Sequence, residues 1–270
     1  MPMLRRTLSC VAALAMFSLA SNTAEASCGV DYCPLPEDAV GTPTLGVVQV
    51  LTRHVEFSQP EGQGSYLENV LRLEVQRFSN WNFGAWIAPV LLDIDGESRT
   101  GVSNPVFFVE RRQRVGDSTL LMGGVQLELP MGDSHDGIAS GHSELLSYVG
   151  MLYEHKSIEV QVQGGFAVAL SEGHDHAGGN VVFVNPHEDQ EAQVRAVAVA
   201  PLLEGKLRPG LFLNSRSVIE NVDPRHFVTG GLNCGYQLTD AIGVLAQAEV
   251  PLSSASRFDW RAGAGVSFRL

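Results

Sequence analysis

The feature that most constrains this chain is a repeated one. Stretches of period-2 alternation follow one another, joined by connections that are by turns short and long. Successive side chains of a β-strand point to opposite faces, so alternation of apolar and polar residues marks a strand with one apolar side. The pattern is clearest at 256–270 (SRFDWRAGAGVSFRL). Phe258, Trp260, Ala262, Ala264, Val266, Phe268 and Leu270 form one face there, and Asp259, Arg261, Gly263, Gly265, Ser267 and Arg269 the other. Comparable stretches precede it at 44–57, 66–78, 81–92, 105–115, 118–130, 145–155, 158–171, 191–203, 206–216, 226–239 and 241–252. Most are 11–14 residues long. A globular strand averages about 5–6 residues and a tilted membrane strand needs roughly 9–11, so the lengths favour a membrane.

The connections sharpen this. Ser79-Asn80, Gly116-Asp117, Lys156-Ser157, Glu204-Gly205 and Asp240 are tight turns. Between them lie longer connections at 58–65, 93–104, 131–144, 172–190 and 217–225, and a shorter one near 253–255. Short periplasmic turns alternating with longer extracellular loops are the habit of an outer-membrane barrel. The expected fold is therefore all-β: a single twelve-stranded antiparallel transmembrane β-barrel, closed by pairing of 256–270 with 44–57. Its apolar faces meet lipid. Its polar faces line a lumen, with candidates Arg72, Glu74, Glu110, Arg112, Arg114, Gln126, Glu128, Gln161, Arg195, Arg208 and Arg261. An arginine facing lipid would cost roughly 2–4 kcal/mol near the midplane, whereas in a lumen it can pair. Phe57, Tyr66, Trp81, Phe83, Tyr153, Trp260 and Phe268 lie near strand ends, where aromatic girdles form.

The first 26 residues read as a cleaved export signal: Arg5 and Arg6, then the apolar run CVAALAMFSLA, then Ala24-Glu25-Ala26. Residues 27–43 form an irregular, proline-bearing periplasmic lead-in, a plug candidate for the periplasmic mouth, and 44–270 the barrel. Cys28 and Cys33 suit a small disulfide loop in an oxidising compartment; with Asp31 they could also hold a soft metal, though no further ligand is nearby. Cys234 stands alone in a strand. No run of eighteen apolar residues suggests a transmembrane helix. The net charge of -12, with no basic patch, argues against nucleic acid.

Two loops collect chemistry. Residues 172–190 carry His174, His176 and His187 with Asp175, Glu188 and Asp189; residues 131–144 add Asp133, His135, Asp136 and His142. Two imidazoles at H-x-H spacing plus a carboxylate could hold a divalent transition metal, so a surface metal-binding barrel is an alternative to a channel. Enzyme chemistry has little to stand on. There is no G-x-S-x-G, H-E-x-x-H or phosphate loop, and adjacent His142 and Ser143 would point to opposite sides of a strand. No catalytic residue and no cofactor is expected.

The run GVSNPVFFVERRQRVGDSTLLMGGVQLELPMGD at 101–133 resembles a family of proteobacterial outer-membrane barrels, the transporters of the phenol-degradation meta-pathway type. Gly101 and Leu129-Pro130-Met131-Gly132-Asp133 match its pattern; Asn104 stands where Asp is commoner. The resemblance implies an outer-membrane channel for passive passage of a small solute, hydrophobic or aromatic. The partners would be that solute, outer-membrane lipid and the barrel-assembly machinery. The C-terminal Phe268-Arg269-Leu270 resembles the signal such machinery reads, with Leu270 in place of the commoner Phe.

Overall fold

A computed structural model describes residues 46–59, 62–77, 80–132, 136–170, 182–184, 189–219 and 226–270. The 1–26 and 27–43 segments, Cys28, Cys33, His174, His176 and His187 lie outside them.

The chain runs through β1 (Gly46–Gln59), β2 (Gly62–Arg77), β3 (Trp81–Ile87), β4 (Pro89–Ile94), β5 (Glu97–Val102), β6 (Val106–Val115) and β7 (Thr119–Glu128). It continues through β8 (Glu144–His155), β9 (Ile158–Ala169), β10 (Gln190–Val199), β11 (Leu207–Val218), β12 (His226–Thr239), β13 (Ile242–Pro251) and β14 (Trp260–Arg269). β3 and β4 are one barrel strand, interrupted at Ala88; β5 and β6 are another, interrupted at 103–105. The wall thus has twelve strands, each antiparallel to its neighbours, and β1 closes it by pairing with both β14 and β2. Closure leaves no long edge unpaired in the wall, which is what a β structure needs where no water can satisfy its backbone.

Two of the connections expected to be long are strand. Within 93–104, β4 and β5 form a hairpin whose turn, Asp95-Gly96, has φ of 50 and 83°. Both central residues at positive φ is the two-residue turn that Asp-Gly favours, because its twist matches that of the strands. Likewise β1 and β2 remain in register to Gln59↔Gly62. The hairpins β1–β2 and β4–β5 therefore rise above the rest of the rim at the loop end. The long connections of the remaining wall are 129–143, 170–189, 219–225 and 252–259.

The side chains follow the strand period. Leu71, Leu73, Phe83, Phe107, Val149, Met151, Val162, Phe166, Val194, Leu211, Leu213, Leu232, Val250 and Phe268 are large, apolar and exposed on the outer wall. Arg72, Glu110, Arg112, Gln161, Gln163, Glu191, Gln193, Arg195 and Glu249 are buried inside. The usual arrangement of a soluble domain is inverted.

β1 departs from this rule. Its apolar residues Leu51, Val55 and Phe57 face inward, together with Gln49 and Arg53, while Thr52, His54 and Glu56 face out. The outward residues bond to one another's neighbours: Thr52 Oγ1 donates to Asn69 Oδ1 (2.8 Å), and Trp260 Nε1 donates to Glu56 Oε2 (3.0 Å). Phe57 and Tyr66, expected in an outer girdle, are instead buried inside, and Phe258 packs inward against the same cluster. Phe83, Tyr153, Trp260 and Phe268 do face outward. The physical reason is that the raised hairpins stand beyond the apolar belt, where a polar outer face and an apolar inner face are favoured.

Inward glycines let large rings lie flat on the wall. Phe108 lies over Gly84 and Phe212 over Gly231, their register partners on the adjacent strands; a Cβ at either glycine would collide with the ring. Such cross-strand pairing of an aromatic with a glycine restores packing that the glycine lacks. Gly84→Val should therefore lower unfolding stability by about 1–3 kcal/mol, read from the folded fraction on heat-modifiability gels across a urea gradient. Adding Phe108→Leu should recover part of the loss.

Candidate functional site

Among the described residues, the interior of the barrel gathers many charged side chains, and it falls into two zones. The first, at the loop end, is apolar. Val55 and Phe57 from β1, Tyr66 from β2, and Val90, Leu92 and Ile94 from β4 meet Ile138, Phe183 and Val184 from two connections that fold inward. Phe57 and Phe183 stack with centroids 5.4 Å apart, and Phe183 N donates to Gly137 O (2.9 Å), tying the two connections together.

Asn104 anchors this cover. It sits at the interruption between β5 and β6, where Pro105 follows and removes a backbone donor. Its Nδ2 donates to Ser140 Oγ (2.7 Å), Ser140 O (2.9 Å) and Glu128 Oε1 (2.7 Å), while its Oδ1 accepts from Gly132 N (3.0 Å). Gly132 has no room for a Cβ, which would press on Ala139, the Val102 carbonyl and Asn104 N. Asn104 and Gly132 of the 101–133 motif thus clamp 129–132 and 136–142 over the mouth. An amide suits it here: an Asp at 104 would set a second carboxylate against Glu128 and would lose the donor.

The second zone is polar and built from ion pairs. Arg53 pairs with Glu68 across β1 and β2, both about 1% exposed. Arg72 Nη2 donates to Glu74 Oε2 (2.9 Å), Arg112 Nη2 to Glu74 Oε1 (2.9 Å) and Arg112 Nε to Glu110 Oε1 (2.6 Å). Tyr148 OH reaches across Gly124 to donate to Glu110 Oε2 (2.9 Å), so one network spans β2 to β8. Arg72 also lies 4.9 Å over the Phe108 ring, where the face of the ring attracts a cation. On the other side Glu191 pairs with Arg257 and lies 3.8 Å from Arg216, and Glu249 pairs with Arg261 and accepts from Thr229 and Asn214. Toward the turn end, Arg208 pairs with Glu159, and Arg114 with Glu154 (2.8 Å).

Small chambers lie between these groups. One of about 80 Å³ lies beneath Ile138 and Val184, lined also by Glu68, Gln126, Glu128, Glu144 and Arg216. Another, about 60 Å³, is lined by Arg195, Arg257, Arg261, Glu249 and Phe258 among others.

All eleven lumen candidates from the sequence lie on inward-facing positions. Arg72, Glu74, Glu110 and Arg112 meet in one network, while Arg114, Arg208 and Arg261 pair elsewhere. Glu128 joins the Asn104 clamp. Sequence reasoning missed Arg53 with Glu68, Glu191 with Arg257, and the apolar cover. Arg53 sits among Leu51, Val55 and Phe57, so its strand face looked apolar. Arg257 precedes its strand, where no period applies. His142, one of the loop histidines, is buried inside. Among the described residues no group of three or more His, Cys, Asp or Glu could hold a metal ion, and Cys234 is exposed and free.

The fold is shared with solved structures. An outer-membrane channel from Pseudomonas putida F1 aligns with TM-score 0.66 at 11% identity, covering 85% of this chain and 97% of that one. The NanC porin aligns with TM-score 0.55 at 12% identity, covering 83% and 100%. The translocator domain of the autotransporter NalP from Neisseria meningitidis aligns with TM-score 0.52 at 13% identity, covering 86% and 90%. No family model matches the sequence, and no curated protein matches it.

Removing one member of a buried pair leaves the other charge uncompensated. Arg53→Met should cost about 3–5 kcal/mol, and Arg53→Met with Glu68→Leu should recover most of it. Urea titration of the refolded barrel measures both.

Proposed function

We propose that this protein is an outer-membrane channel for passive passage of a small solute. Residues 1–26 serve as export signal, 27–43 as periplasmic lead-in and 44–270 as barrel, with the turn end in the periplasm and the loop end outside. The inversion of polarity carries this reading: an apolar outer wall around an interior of paired Arg and Glu is suited to lipid outside and a polar path within. The likeness to a channel and a porin supports it. The eleven inward residues named above, with Arg53 and Glu68, line the path, and their pairing keeps it from acting as a strong field for either sign of ion.

The mouth supports a choice of solute class. Phe57, Tyr66, Phe183 and Phe258 offer ring faces and few charges at the loop end, which favours a small apolar or aromatic solute, as in transporters of the phenol-degradation meta-pathway type. Interior chambers of only about 80 and 60 Å³ beneath the inward-folded connections support a reading in which those connections act as a cover. Phe183→Ala with Val184→Ala should raise single-channel conductance in planar bilayers several-fold over the parent. In liposomes the parent should admit phenolic solutes faster than sugars of similar mass. Equal rates for both would remove the apolar-solute reading and leave the channel.

A further inference from the structure

On the outer wall β6 presents two polar side chains in succession, Arg111 and Gln113, among apolar neighbours. Arg111 stands in register between Trp81 and Gly123, its guanidinium carbon 5.8 Å from the Trp81 ring centroid. Its Nε and the Oε1 of Gln113 are buried atoms with no hydrogen-bond partner among the described residues. Both side chains border an outward hollow of about 380 Å³, whose apolar lining includes Val109, Leu121, Val125, Val149 and Phe166.

The hollow has a glycine floor. Gly123 and Gly164 flank Val149 in register, and a Cβ would come no closer than 3.5 Å to any atom at Gly123 and 3.8 Å at Gly164. Crowding within the protein therefore does not demand glycine at either place; the space is open to something else. The hollow is also polarised. Gln113 and Arg111 lie toward Val115 and the turn end, Val125 and Phe166 toward the loop end. An isolated cation on a membrane-facing wall is costly unless it reaches an anion near the interface. Near a membrane interface the anion at hand is a lipid phosphate. Another large outward hollow, about 680 Å³ and bordered by Leu211, Leu232, Cys234 and Ala246, has no charged residue in its lining.

We propose that this groove holds one glycerophospholipid of the turn-side leaflet, its phosphate on Arg111 and Gln113 beside Trp81 and one acyl chain over Gly123 and Gly164. The inference rests on the membrane reading above. The test is native mass spectrometry of the full-length folded barrel in detergent, titrated with dioleoyl-phosphatidylglycerol or with dioleoylglycerol, which lacks the phosphate. The parent should retain one phosphatidylglycerol, retain no diacylglycerol, and keep its lipid in excess inorganic phosphate. Arg111→Gln and Gly123→Leu should each weaken retention about tenfold or more, whereas Ala246→Leu in the uncharged hollow should not change it. Equal retention by the parent and both groove variants, or displacement by inorganic phosphate, would overturn the proposal. Liposome insertion and heat-modifiable migration are read on the same samples. A chain that fails to insert removes both readings; one that inserts and binds lipid regardless of Arg111 removes only this one.

Discussion

Everything in this molecule depends on the pairing of β1 with β14. Ten register pairs, from Val47↔Arg269 to Glu56↔Trp260, turn an open sheet into a cylinder. A sheet left open there would present two rows of unpaired N–H and C=O groups to its surroundings. Once closed, the backbone is satisfied by the wall itself, and the side chains are free to be apolar outside and polar inside. The glycines of β14 belong to the same seam. Gly263 and Gly265 leave no room for a Cβ beside the Thr52 and Val50 carbonyls, so the two strands can approach and Leu51 can lie across them.

Closing the cylinder creates a second constraint: charges brought indoors must be matched. Burying an ion costs several kcal/mol unless a partner and further hydrogen bonds compensate. The interior meets that demand by chaining its groups. Glu74 serves Arg72 and Arg112, and Glu249 serves Arg261, Thr229 and Asn214. An interior lined this way is polar without being strongly charged.

The loop end follows the opposite rule, and β1 crosses from one regime to the other. Val50 points outward among the apolar belt, while a few residues on Glu56 points outward beside Trp260 and Phe57 inward against Phe183. The same strand is thus membrane wall at one end and the edge of a small water-facing core at the other. That core is what covers the mouth, and Asn104 and Gly132 hold it there. A motif recognisable in the sequence turns out to be structural support for a cover.

The sequence by itself determined strand number, strand order and which parity of each strand is polar, because a period of two and the lengths of the turns are local properties. Eleven inward residues were legible for that reason, as was the partner of the last strand. Tertiary structure alone decided which parity faces in along β1, Tyr66 and Phe258, since that depends on where the belt ends. It also decided that 93–104 is a hairpin, that Arg53 meets Glu68 and Arg257 meets Glu191, and that 136–142 and 182–184 fold into the mouth. Each of these needs the position of one strand relative to another around a closed ring, and no stretch of sequence read on its own carries that geometry.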